Sequence, residues 1–286
     1  MISAGVLWGV ISIFINKLSD AGLSAMNISL IRMGIAAPLF TLTVAAADRE
    51  KLRISLRDVP LFIGTGIVSV VLFNICYFYT MIHAQASIAV ILLYTSPVFI
   101  MLLSRLIFKE RITLCKLIAL AMTFGGCVLV AGLSGDTGLT AFTLMTGFAS
   151  GLFYGLYTIF GRFALRKYDT LTVTVWTFIF GLIGSLAVGD PVGTVKIVCG
   201  SPELMLWCLG IGVICTVLPY FLYTKGLTGM EPSRAAIFVA VEPMVGAVIG
   251  IAVFGESAGV LKLIGMALIL GAIVLLGLSP EKKEDA

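Results

Sequence analysis

Apolar residues run along the whole chain in blocks of about 20, the length that crosses a hydrocarbon core of roughly 30 Å at about 1.5 Å per helical residue. Short polar segments separate the blocks and predict ten spans, over residues 2–18, 24–46, 59–82, 87–107, 114–132, 142–165, 170–189, 204–226, 233–254 and 260–278. None of these segments is long enough for a soluble domain. The predicted fold is an all-α integral membrane bundle of ten transmembrane helices. The first span starts almost at Met1, with no basic segment before it and no small-residue cleavage site after it. It reads as a short first helix rather than a cleaved signal peptide, and the chain start reads as truncated or misassigned.

Composition agrees with the pattern. The 286 residues are 59% hydrophobic and 12% charged, against about 45–50% and about 25% in soluble domains. The net charge of +4 is spread over short loops and gives no basic face for nucleic acid. Six cysteines lack C-x-x-C spacing and fall mostly within spans, where Cys behaves as a small hydrophobe. There is a single histidine, His83. No metal, disulfide or cofactor is expected.

The basic residues set an orientation. With the N-terminus inside, the inner loops hold Arg49, Lys51, Arg53, Arg57, Arg105, Lys109, Arg111, Lys116, Arg162, Arg166, Lys167, Lys225, Arg234, Lys282 and Lys283. The outer loops hold only Lys17, Lys196 and Lys262, and Arg32 lies within the second span. Both termini are therefore expected in the cytoplasm.

The chain also matches itself at an offset of 146. Pro97 and Pro243, Glu110 and Glu256, and Lys116 and Lys262 all pair at that spacing, and "GVLWGVISIF" (5–14) lies on "GLFYGLYTIF" (151–160). Residues 1–139 and 140–286 thus read as two copies of five helices. Five is odd, so the second copy enters the membrane inverted, an arrangement that places a binding site near the midplane between the copies. The charges agree: basic Arg105, Lys109 and Arg111 align with uncharged Ile251, Gly255 and Ser257.

Candidate chemistry follows from that geometry. Trp8, Ser12 and Asn16 share one face of the first helix, and their mates are Tyr154, Thr158 and Arg162. Asn74 and Tyr77 have mates Tyr220 and Tyr223; Tyr94 and Ser96 precede Pro97, as Glu242 precedes Pro243. Candidates for substrate contact are thus Trp8, Ser12, Asn74, Tyr77, Tyr94, Ser96, Tyr154, Thr158, Tyr220, Tyr223 and Glu242. Interfacial anchoring and interhelical hydrogen bonding account better for any one of these taken singly, whereas their symmetric positions together favour a shared cavity.

Two charges lie deep in apolar runs, where a charge is costly and marks a pathway by default. Glu242 fits proton carriage, a cationic group, or a structural bond to backbone freed by Pro243. Arg32 fits an ion pair with Glu242, a substrate carboxylate, or carbonyls at a broken helix. His83, at the outer end of the third span, is a further candidate for proton coupling. Glu110 and Glu256, in the turns "FKERIT" and "FGESAG", read as structural caps or hinges. Pro97 and Pro243 read as shared kinks.

These residues resemble the EamA-type transporters of the drug/metabolite transporter superfamily. The resemblance rests on "LWG" at 7–9 with Lys17 ending the helix, Arg32, "SPVFIMLLSRLIFKERIT" (96–113), "GG" at 125–126, and "VEPMVGAVIGIAVFGES" (241–257). It implies two inverted five-helix halves in a cell inner membrane, alternating access without an ATPase domain, and export of small metabolites such as amino acids or their derivatives. Members usually carry several residues before the first helix, which this chain lacks. The expected partners are the bilayer and a small metabolite, not nucleic acid, with monomer and homodimer both open. An intramembrane lipid enzyme would need a nucleophile, an acid/base pair or a metal cluster, and a channel would need pore-lining charge rings. Neither is evident.

Overall fold

A computed structural model describes residues 1–84, 86–132 and 139–279. Ten helices are long and apolar enough to cross a membrane: α1 (Ile2–Asp20), α2 (Ala25–Ala47), α3 (Leu56–His83), α4 (Ser87–Ile107), α5 (Leu114–Ala131), α6 (Ala141–Ala164), α7 (Thr170–Val188), α8 (Pro202–Leu227), α9 (Pro232–Phe254) and α10 (Val260–Leu278). The described residues contain no strand. One short helix outside the predicted set, Pro191–Cys199, joins α7 to α8 and starts where Asp190 accepts from the Gly193 N–H.

Polar residues just outside the apolar runs fix the helix starts by satisfying otherwise unpaired N–H groups. Ser24, Thr113, Asp169 and Ser201 each accept from the backbone three residues on. Thr140 and Thr143 exchange bonds in a capping box. Glu110 does not cap α5: it stands too far before Leu114, and Thr113 takes that position. Gly259 likewise occupies the cap of α10 in place of Glu256.

Five helices are interrupted. α4 breaks at Tyr94–Thr95 and α9 at Ala240, each just before its proline, where the missing N–H ends the first segment. α3 and α8 carry π-helical stretches over Gly64–Leu72 and Val213–Val217. There Ser69 and Thr216 hydroxyls donate to the carbonyls five residues back, Gly64 at 2.7 Å and Ile211 at 3.0 Å. In addition, α1 is broken at Val10, a point that no proline marks.

Packing repeats when each helix is exchanged for the one five places along. α3 packs on α6 and α7, and α8 on α1 and α2; α4 packs on α6, and α9 on α1. Glycines permit the closest approaches. A Cβ on Gly126 would lie 2.7 Å from the Gly265 carbonyl, and one on Gly265 would lie 2.7 Å from that of Gly126, which locks α5 against α10. Buried threonines join helices elsewhere: Thr177 donates to Thr65 at 2.7 Å, and Thr80 and Thr146 are 2.9 Å apart.

The bundle has two ends. Met1 packs near Gly226, Arg162 donates to the Leu227 carbonyl at 2.7 Å, and Ser233 meets Glu110, so the α1 start, the α4, α6 and α8 ends and the α9 start share the Met1 end. There Lys167 and Tyr168 both bind Asp58, and Lys51 pairs with Asp169 at 3.0 Å. The opposite, Asp20 end gathers Asn27 with Asp190, Phe14 with Trp207, and Tyr79 with Phe142. The basic loops assigned to the inside all lie at the Met1 end; Lys282 and Lys283 lie outside the described residues.

Candidate functional site

The breaks in α4 and α9 and the π-helical stretches of α3 and α8 converge on a central cavity. It is lined by Trp8, Ile11, Ile15, Arg32, Val70, Phe73, Asn74, Tyr77, Phe78, Leu93, Tyr154, Tyr220 and Glu242. About 140 Å³ of it is open to the centres of water molecules, and since one water needs roughly 10–15 Å³ by that measure, a small solute fits. Ile15 and Phe78 lie toward the last turns of α1 and α3, so the cavity extends from the middle of the bundle toward the Asp20 end.

Glu242 opens the second segment of α9. Gly9 of α1 lies against its backbone, as Gly155 of α6 lies against Ser96 of α4. Tyr154 lines the cavity beside Glu242, and the Tyr94 and Tyr154 side chains approach its carboxylate. Arg32 faces the same cavity without forming an ion pair with Glu242; its Nε donates to Thr216 Oγ1 at 2.9 Å. The π-helical stretch of α8 presents that hydroxyl, whose own proton goes to the Ile211 carbonyl. The guanidinium is thereby anchored on one edge, leaving its other N–H groups for the cavity. Asn74 is buried and donates to Ser29 Oγ at 2.6 Å.

Aromatic rings close the cavity toward the Met1 end. Tyr220 meets Trp8, Tyr157 and Phe178 edge-on, with centroids 5.1, 5.3 and 5.0 Å away, geometries that favour the ring quadrupoles. Tyr223 lies beneath, 5.6 Å from Trp8, and its hydroxyl is 2.6 Å from Thr158 Oγ1; Tyr157 and Thr224 form a similar pair at 2.6 Å. Tyr154 packs on Phe73 at 5.4 Å, and Phe73 on Tyr77 at 5.6 Å.

Seven of the residues singled out from the sequence line the cavity together: Trp8, Arg32, Asn74, Tyr77, Tyr154, Tyr220 and Glu242. Tyr94 lies in the α4 break, and Thr158 and Tyr223 bond to each other in the layer below. Ser96 is buried behind the break, with its carbonyl toward Gly155. Ser12 Oγ is buried without a hydrogen-bond partner, and Asn16 is exposed. His83 sits at the Asp20 end, stacked on Tyr79 at 4.0 Å and bonded to its carbonyl, away from the cavity. Ile11, Ile15, Val70, Phe73, Phe78 and Leu93 complete the lining, and no polar signal in the sequence marks them. Ile11 and Ile15 stand three and seven places after Trp8, a spacing as helical as the polar stripe.

Ten apolar helices around a central cavity that holds two opposite charges and an aromatic floor define a multi-pass membrane protein of the transporter class. The model of the EamA-like transporter family matches residues 1–132 and 141–278, and the chain belongs to that family. An uncharacterized transporter of Archaeoglobus fulgidus is 28% identical over 276 residues, covering 96% of this chain and 94% of its own. The uncharacterized inner membrane transporter YicL of Salmonella typhimurium is 25% identical, covering 99% and 95%. A protein crystal structure superposes with a TM-score of 0.80 at 16% identity, over 96% of this chain and 93% of that one, a likeness of fold. This protein is a membrane transporter.

Proposed function

We propose that the chain is a secondary transporter or facilitator of the cell inner membrane that exports small metabolites such as amino acids or their derivatives. Residues 1–139 and 140–286 act as two inverted five-helix halves that rock about the cavity to give alternating access. The Met1 end, where the basic loops gather, is the cytoplasmic one.

The observation that carries this reading is the pairing of Arg32 and Glu242 on one cavity without an ion pair between them. Two separated opposite charges over an aromatic floor suit a dipolar solute: Arg32 takes its carboxylate, Glu242 its cationic group or a proton, and the rings its apolar part. The charges come from different halves. Arg32 corresponds to Phe178 and Glu242 to Ser96 at the 146-residue offset, so the solute bridges the halves that must move.

The test is uptake of a metabolite panel into proteoliposomes, with and without a pH gradient, by wild type and Glu242→Gln. Loss of transport, or loss of its response to the gradient, is the expected result in the variant. Unchanged flux and unchanged pH response would remove Glu242 from the mechanism.

A further inference from the structure

Glu110 and Glu256 stand 146 residues apart in equivalent turns, α4–α5 at the Met1 end and α9–α10 at the Asp20 end. The turns share a backbone bond, from Glu110 N to Ser104 O at 3.3 Å and from Glu256 N to Gly250 O at 3.0 Å. In each, the lysine six residues on approaches the carboxylate, Lys116 at 3.7 Å and Lys262 at 2.8 Å.

Their surroundings differ. Glu110 is 4% exposed and accepts from Ser233 Oγ at 2.6 Å, in the first turn of α9. Lys116 continues to Glu231 at 2.8 Å, and the first segment of α9 packs on the second segment of α4 and on α5. Glu256 is exposed and pairs with Lys262 of its own turn and helix. At that end, among the described residues, the first segment of α4 makes no comparably extensive contact with the second segment of α9 or with α10. The cavity borders this seam, with Leu93 on one side and Glu242 on the other.

We propose that Glu110 and Glu256 form a reciprocal latch: Glu110 on the first turn of α9 holds the Met1 end shut in this conformation, and Glu256 on the first turn of α4 holds the Asp20 end shut in the other. The inference rests on the inverted-repeat reading above, because the second seat comes from the 146-residue offset that makes Ser87 the counterpart of Ser233. A carboxyl group seated on a hydroxyl at a helix start keeps a hydrogen bond away from water, and opening the seat forfeits that bond. The same carboxylate in solvent gains little from a surface lysine. Each seat therefore stabilises only the conformation in which its end is closed. The breaks at Tyr94–Thr95 and Ala240 divide α4 and α9 beside the cavity, next to Leu93 and Glu242, so pivoting about them closes one end as it opens the other.

The test is pulsed electron spin–spin distance measurement in lipid nanodiscs, with the six native cysteines replaced. Labels at Lys109→Cys and Gly229→Cys report on the Met1 end; labels at His83→Cys and Ser257→Cys report on the Asp20 end. Ser233→Ala is expected to raise the population with a separated Met1 end about tenfold, the weight of one hydrogen bond to a charge. A matching population with a shortened Asp20-end distance should appear. Adding Glu256→Ala, whose side chain is exposed in this conformation, should reverse both shifts. If both conformations are seen but neither variant moves their balance, the latch is overturned and alternating access stands. If each pair gives a single unchanging distance in every variant, alternating access falls and the latch falls with it.

Discussion

Gly9 on α1 lies so close to Glu242 on α9 that a Cβ there would stand 2.8 Å from the Glu242 carbonyl oxygen and 2.6 Å from Val245 Cβ. One turn earlier, a Cβ on Gly5 would stand 2.6 Å from the Val239 carbonyl, the acceptor to which Pro243 offers no N–H. The backbone of α1 thus fills the ground beside the break in α9 and sets how deep the carboxylate sits.

Gly9→Ala is accordingly expected to destabilise the protein by about 1–3 kcal/mol, the usual cost of overpacking, read as a lowered unfolding temperature in detergent. Gly34→Ala on α2 is the control. A Cβ there meets nothing within 4 Å, so the better helix former should leave stability unchanged or raise it slightly. Equal losses in both would show that the α1–α9 contact is not the cause.

The sequence displays the spans, the two prolines and the two deep charges because each is a local departure whose cost is fixed by the membrane. It does not display the break at Val10, since nothing there removes a donor, nor the π-helical stretches, whose extra residue per turn leaves hydropathy unchanged. The face of α1 is ambiguous for the same reason: Trp8, Ser12, Asn16 and Trp8, Ile11, Ile15 are both helical stripes, and the placement of α3 and α8 decides between them. That Arg32 anchors on Thr216 instead of pairing with Glu242 is a tertiary fact between residues 184 apart, which no local pattern carries.

Thr216→Val keeps the shape of the side chain and removes the hydroxyl that accepts from Arg32 and donates to Ile211. The expected stability loss is about 1 kcal/mol. Transport of carboxylate-bearing solutes should fall by roughly tenfold as the guanidinium loses its anchor. Proteoliposome flux against an uncharged solute separates the two effects, and an equal fall for both solutes would sink the anchoring role.

The carboxyl of Glu110 is held above the ordinary carboxylate range by burial, against the opposing pull of the Ser233 bond and Lys116, with Glu231 nearby adding to the rise. The folded protein therefore keeps this proton more tightly than the unfolded chain. Its contribution to stability is greatest at acid pH and declines as pH rises from the ordinary carboxylate value through the raised one. Melting temperatures followed across that window should show a shallower decline in Glu110→Gln than in wild type. Parallel curves would assign the pH dependence to other groups.

Tyr220 separates structural from functional demands within one side chain. Its ring is the hub of edge contacts to Trp8, Tyr157 and Phe178, and the residue also lines the cavity. Tyr220→Ala should cost about 3–5 kcal/mol, as for other large buried aromatics, and collapse the floor. Tyr220→Phe retains every ring contact, so its unfolding temperature should match wild type, while a hydroxyl that meets the solute would leave a raised half-saturation concentration at unchanged maximal flux. That split requires the hydroxyl to contribute about equally to bound and crossing solute. A Phe variant that transports like wild type would place the tyrosine in the floor alone and leave recognition to Arg32 and Glu242.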